Sequence, residues 1–85
     1  MMNIRDKIEK EFLKILAETD NELLVPSLED DVVLLESGLD SLGFAILVAT
    51  LQSELGFDPF QEMKEAYYPV TYGEFVLLYE SYSEK

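Results

Sequence analysis

One hydroxyl in this chain invites a chemical reading. In LLESGLDSLGFAILVATLQSELG, residues 34–56, Ser41 follows Asp40 where a glycine-containing turn gives way to an apolar helical run. A serine nucleophile needs a neighbouring base to take its proton, usually histidine and occasionally lysine. The chain has no histidine, and its basic residues, Arg5, Lys7, Lys10, Lys14, Lys64 and Lys85, all stand far from Ser41 in sequence. Hydrolase chemistry carried by this chain alone is therefore disfavoured. Two roles stay open. Ser41 could assist Asp40 in capping the helix, a purely structural job. Alternatively, another enzyme modifies it and supplies the base and any metal. The position suits the second role, because backbone N–H groups and the positive end of the helix dipole tolerate an attached phosphate, worth about 0.3–1 kcal/mol at an exposed site. A chain without cysteine could acquire a reactive thiol by such an attachment.

Composition narrows the classes further. Eighteen acidic residues against six basic ones give a formal charge of −12, which repels nucleic-acid phosphates and anionic lipid and attracts basic protein surfaces. Without cysteine or histidine the chain has no disulfide, no thiolate metal site and no zinc-enzyme ligand set, and no metal site is expected. At 85 residues it is one domain that hides roughly 60–65% of its unfolded surface, too small for a deep substrate cavity. The start, MMNIRDKIEKEF, alternates charge with apolar residues and does not read as a signal peptide. The longest apolar run, FAILVA, is far short of a membrane span. A cytoplasmic protein that does not insert into membranes is the expectation, and a monomer.

The elements that must position Ser41 follow from periodicity. Ile4, Ile8, Phe12, Ile15 and Leu16 recur at spacings of three and four, and Asn3 is placed to cap them, so a helix is predicted from about Asn3 to Glu18. The segment from Thr19 to Ser37 is broken by Pro26 and followed by Gly38, without helical or strand period. It still carries Leu23, Leu24, Val25, Leu28, Val32, Val33, Leu34 and Leu35, so it should fold back over the core. A second helix should start near Asp40 and end at Gly56. Asp58 and Pro59 open a short third helix, with Gln61 at the capping-box position and Tyr68-Pro69 as its stop. Thr71 and Glu74 form a capping box for a last helix running to about Tyr82. The expected fold is all-α: a small four-helix bundle, three main helices and one short one, with a long first loop.

On a wheel of ~100° per residue, Phe44, Leu47, Val48, Leu51 and Leu55 of the second helix fall in one sector, assigned to the core. Leu42, Ile46 and Ala49 lie nearly opposite, with Ser53 extending the line. This second stripe either packs under the long connection or the last helix, or forms a shallow exposed strip for partners.

These residues resemble a known family. The stretch Leu34 to Gly56 is similar to the 4′-phosphopantetheine attachment region of acyl carrier proteins and related peptidyl carrier domains, centred here on Gly38-Leu39-Asp40-Ser41-Leu42. Asp-Ser-Leu alone is a weak match. Agreement of Leu35 before the glycine, Leu47, Leu51 and Leu55 after the serine, the Glu54-Leu55-Gly56 ending and the later PVTYGEF strengthens it, and the likeness spans essentially the whole chain. It implies that a phosphopantetheinyl transferase, with Mg²⁺ and coenzyme A, joins a 4′-phosphopantetheine arm to Ser41. The arm's thiol would carry acyl or aminoacyl groups as thioesters, making the chain a non-catalytic carrier. Asp40 would be the neighbouring acid, and Leu39, Leu42, Ile46 and Ala49 the docking surface. Implied partners are the transferase and an acyl-activating ligase, acyltransferase or ketosynthase of a lipid, polyketide or other secondary pathway.

The likeness has a telling departure. Carriers of fatty-acid synthesis typically bear several acids on the exposed face of the second helix, whereas this stretch has Gly43, Ile46, Gln52 and Ser53, with only Glu54 acidic. The acids lie instead at Glu29, Asp30, Asp31, Glu36 and on other helices. Docking is expected to rest on apolar contact, with distant acid steering the encounter, and a dedicated secondary pathway is favoured over exchange with general fatty-acid enzymes. Phe60, Met63 and Tyr72, read mainly as packing residues, offer a lesser reading as the border of an acyl channel, beside a tyrosine group of Tyr67, Tyr68, Tyr72, Tyr79 and Tyr82. Because the chain begins at Met1 and ends just past the last helix, a freestanding carrier is expected. The rival reading is an unmodified acidic interaction protein, for instance a nucleic-acid mimic, although its acids are dispersed rather than arrayed in a line.

Overall fold

The computed structural model describes residues 3–64 and 68–83. Its first helix, α1, runs Ile4–Glu18, and the Asn3 side chain accepts the Asp6 N–H at 2.8 Å, occupying one of the donors that a helix start leaves unpaired. α2 spans Ser41–Leu55 and stops at Gly56, which takes the left-handed conformation (φ 85°). α4 spans Tyr72–Ser83. Its capping box closes in both directions: Thr71 Oγ1 accepts the Glu74 N–H at 3.2 Å, and Glu74 Oε1 accepts the Thr71 N–H at 3.1 Å. The all-α bundle expected from periodicity is the observed architecture.

The short third helix, α3, differs from expectation in its extent. It comprises only Pro59–Glu62, capped by Asp58 Oδ1 on the Phe60 N–H at 2.9 Å, and Met63 is already extended (ψ 144°). Its start signals were local and correct. Continuation needed a buried stripe, and Gln61, Glu62 and Lys64 are exposed, so no packing offsets the cost of further turns. The remainder of the expected helix, 65–67, and with it Tyr67, lies outside the described residues.

α1 packs on both α2 and α4, and α3 lies against α4. Ile8, Phe12, Ile15 and Leu16 of α1 meet Leu47 and Leu51 of α2 and Phe75, Val76 and Tyr79 of α4 in one core. The Thr19–Ser37 connection does fold back, but only part of its apolar content is buried. Leu28 and Leu34 join the core and Leu23 and Val32 pack on it, while Leu24 and Leu35 face solvent. A 3₁₀ turn at Leu34–Glu36, unsignalled by any period, shapes its end. This connection is stitched to the start of α4 by backbone bonds, Tyr72 N–H to Val32 C=O at 2.7 Å, Gly73 N–H to Asp30 C=O at 3.0 Å and Leu34 N–H to Val70 C=O at 2.9 Å. Arg5 of α1 adds an ion pair to Asp30 at 2.7 Å and sits over the Tyr72 ring.

Among the described residues two phenol hydroxyls are buried without a hydrogen-bond partner, those of Tyr72 and Tyr79. Burial is the main reason both hold their protons more tightly than a free tyrosine, Tyr72 pushed up to about 12 and Tyr79 further still. A proton bound more tightly in the folded than in the unfolded chain makes stability fall as pH rises above the ordinary value near 10.0 and through 12. Tyr79→Phe should therefore keep the neutral-pH unfolding free energy or raise it, by on the order of 1 kcal/mol, and the melting temperature with it, because it deletes an unpaired buried polar group. It should also blunt the alkaline loss of stability. Thermal melts of both proteins between pH 7 and 11.5 test this, and a clear neutral-pH destabilisation by Tyr79→Phe would show the hydroxyl to be satisfied.

Candidate functional site

The segment leading into α2 is held rigidly from behind. The Ser37 hydroxyl, wholly buried, donates to Leu34 C=O at 2.6 Å, and Ser37 C=O accepts the Leu24 N–H at 2.9 Å. Gly38 then turns the chain at φ 114°, so close to the start of the connection that a Cβ there would lie 2.0 Å from Glu22 C=O. No other residue fits both the dihedral and the contact. Leu39 follows with 1% exposure. It is a core residue, which corrects its place in the expected docking surface: the turn that presents Ser41 points the preceding side chain inward as an anchor.

Asp40 is the N-cap of α2, extended in backbone, with Oδ1 accepting the Gly43 N–H at 2.7 Å. Gly43 is buried against this cap, for a Cβ there would meet Leu39 Cδ1 at 2.8 Å and Asp40 Oδ1 at 3.2 Å. Ser41 is the first helical residue and is exposed. Its hydroxyl makes no hydrogen bond among the described residues. The capping role considered for Ser41 is thus filled by Asp40 alone. The N–H groups of Ser41 and Leu42, lying in the first turn, have no partner inside the helix and leave partial positive charge around the hydroxyl.

The two faces of α2 separate as the wheel indicated. Leu47 and Leu51 are fully buried, and Phe44, Val48 and Leu55 are half-buried against the core. On the other side Leu42 is 66% and Ile46 36% exposed, with Ala49 and Ser53 also exposed. The stripe does not pack under the connection or α4; it faces solvent. The one acid of α2, Glu54, is tied to Lys7 of α1 at 3.2 Å. Glu29, Asp30, Asp31 and Glu36 are exposed on the connection.

A groove of about 430 Å³ flanks the start of α2, lined by Val33, Leu34, Leu35, Phe44, Tyr68 and Val70 among others. Sequence reasoning placed Phe44 in the core and did not bring these residues together. The available signal was Phe44 at three residues from Ser41, on the serine's side of the wheel. A larger recess of about 500 Å³ is lined by Ile4, Leu77, Glu80, Ser81 and Ser83, with no residue of α2. Of the suggested channel residues, Phe60 is wedged among Phe44, Phe75 and Tyr79, and Tyr72 is buried edge-on against Phe12.

Among the described residues no group of three or more acidic, histidine or cysteine side chains could hold a metal ion, and no helix is long and apolar enough to cross a membrane. Comparison with protein-family models, curated proteins and solved structures finds no match.

Asp40 and Ser41 should separate cleanly in a stability experiment. Asp40→Ala removes the cap and is expected to lower unfolding free energy by about 1 kcal/mol, whereas Ser41→Ala, which removes no hydrogen bond, should stay within about 0.5 kcal/mol of the parent. Urea unfolding followed by circular dichroism measures both. A Ser41→Ala loss equal to that of Asp40→Ala would restore the structural role to the serine.

Proposed function

We propose that the chain is a carrier protein whose Ser41 is the attachment point of a 4′-phosphopantetheine arm. The observation that carries this reading is a serine hydroxyl exposed at a helix start, with no hydrogen bond among the described residues, beside a cap that does not need it. The likeness of Gly38-Leu39-Asp40-Ser41-Leu42 to the carrier motif supplies the identity of the modification. The arm supplies a terminal thiol that holds acyl or aminoacyl groups as thioesters, and coenzyme A is its source.

What the chain's own residues do is limited and specific. Ser41 would give its hydroxyl proton to the transferase's base while its oxygen bonds the pantetheine-bearing phosphorus of coenzyme A, breaking the pyrophosphate bond and releasing adenosine 3′,5′-bisphosphate; the first-turn N–H groups of α2 lie where the phosphodiester charge would form. Asp40 keeps the helix start in register and, by the family likeness, is the neighbouring acid that would assist metal binding in the transferase complex. No general base is required of the chain, because the transferase provides it. Carriage then works by tethering: a group on a flexible arm meets each docked enzyme at high effective concentration.

Docking rests on Leu42, Ile46 and Ala49, an exposed apolar stripe next to the attachment point. The exposed acids of the connection act at longer range, speeding encounter with basic partners. Partners of this chemistry are the phosphopantetheinyl transferase and an acyl-activating ligase, acyltransferase or ketosynthase.

The test is incubation with coenzyme A, Mg²⁺ and a promiscuous phosphopantetheinyl transferase, followed by intact mass measurement. One arm should be added to the parent and none to Ser41→Ala. In the same assay Ile46→Asp should slow modification about tenfold or more, since losing one buried aliphatic contact costs about 1.5–3 kcal/mol, with the helical circular dichroism retained. An unmodified parent protein contradicts the reading, and an Ile46→Asp protein modified at the parental rate removes the stripe from it.

A further inference from the structure

Glu11 of α1 is a carboxylate that neither the core nor the proposed carriage uses. It is 3% exposed, and among the described residues it makes no hydrogen bond and no ion pair. Its neighbours of opposite charge on the helix are Lys7, one turn before, and Lys14, one turn after. Neither pairs with it, and Lys7 is bonded instead to Glu54 of α2 at 3.2 Å. Burying a carboxylate without a counter-charge lowers stability, so packing alone gives no reason for an acid at this position.

Its place is the seam between α1 and α2. The two helices run antiparallel: Lys7, near the start of α1, meets Glu54, near the end of α2, while Gly38, just before α2, lies against the Glu22 carbonyl, just beyond α1. One turn in from the Lys7–Glu54 pair stand Glu11 on α1 and the half-buried Thr50 on α2. Ile46 and Ser53, both exposed, are the neighbours of Thr50 four residues before and three after, on its solvent side. The apolar stripe of α2 therefore borders the seam that holds Glu11. Neither carboxylate oxygen is sealed from solvent as the Tyr72 and Tyr79 hydroxyls are, which leaves a narrow way in.

The geometry points to this seam as the seat of one cationic side chain, a lysine or arginine, of the protein that docks on the α2 stripe. The partner's apolar surface covers Leu42 and Ile46, and its cation enters beside Ile46 to give Glu11 the counter-charge it lacks within the chain. This rests on the stripe being the docking face of a carrier and deepens that reading by naming what fixes the partner's register. A partner without the cation would close an unpaired charge away from water, which is a stronger discriminator than a solvated surface acid. The acids of the connection attract any basic surface, whereas Glu11 accepts only one whose cation stands in line with the apolar contact.

The chain by itself is tested with hexylammonium, an ammonium on an apolar stem, against hexanol and tetramethylammonium, which have only the stem or only the charge. Hexylammonium should move the side-chain carboxyl carbon resonance of Glu11 and the amides of Ile46 and Thr50 along one saturable curve, and should bind Glu11→Gln at least tenfold more weakly. The other two compounds should leave the Glu11 carboxyl in place. Glu11→Gln should also unfold at a urea midpoint no lower than the parent's. An unmoved Glu11 carboxyl, shifts confined to Glu29, Asp30 and Asp31, or an affinity unchanged in Glu11→Gln overturns the proposal. So does a clearly lower urea midpoint, which would show the carboxylate to be satisfied within the chain. If hexylammonium seats on Glu11 but the transferase leaves Ser41 unmodified, it is the carrier function that fails and not the cation seat.

Discussion

The hydrogen bond from the Gly43 N–H to the Asp40 carboxylate, 2.7 Å long, decides where α2 begins. A helix start must satisfy or expose its first N–H groups, and a side chain in the cap position determines which residue becomes the first of the helix. With Asp40 in that role Ser41 is exposed and its hydroxyl makes no hydrogen bond among the described residues. The cap in turn relies on two glycines. Gly38 allows the chain to turn against the Glu22 carbonyl, and Gly43 leaves room for Leu39 and the cap carboxylate. Leu39, buried between them, ties the turn to the core. The surroundings of Ser41 are thus a tightly constrained backbone around an exposed hydroxyl, a combination suited to presenting an attached group in a defined place.

Partition of apolar surface is the second consequence. α2 spends Leu47 and Leu51 on the core, yet remains apolar on the side that faces solvent, and its one acid is turned toward Lys7. The strong negative charge of the chain is carried by the connection and the other helices. Charge and exposed apolar surface are therefore divided: the acids Glu29, Asp31 and Glu36 on the connection extend a field over about a Debye length, and in the proposed function Leu42 and Ile46 would supply the short-range contact. On the proposed carrier function, a partner would need an apolar socket for α2 more than a row of basic residues.

Much of this was legible in the residues. Caps at Asn3, Asp40, Asp58 and Thr71–Glu74 and the stop at Gly56 are local chemistry, and each appears in the structure with its hydrogen bond or dihedral. The two faces of α2 followed from helical period, as did the core of α1. What sequence could not supply were features made by distant segments meeting. The length of α3 depended on whether a neighbour buried its stripe. The inward placement of Leu39 depended on the Ser37–Gly38 turn being anchored to residues 22–24, far back along the connection. The groove arises where the 3₁₀ turn at Leu34–Glu36, Phe44 and the Tyr68–Val70 segment converge, and no window of sequence contains all three.

The central claim is that Ser41 is a point of attachment and not a structural residue. Mass spectrometry of the protein isolated from the cells that make it, with fragmentation across residues 34–56, tests this most directly. The account predicts a phosphopantetheine group on Ser41, with or without an acyl group on its thiol. Recovery of this segment only in its unmodified form, from cells shown to contain other phosphopantetheinylated proteins, would contradict it.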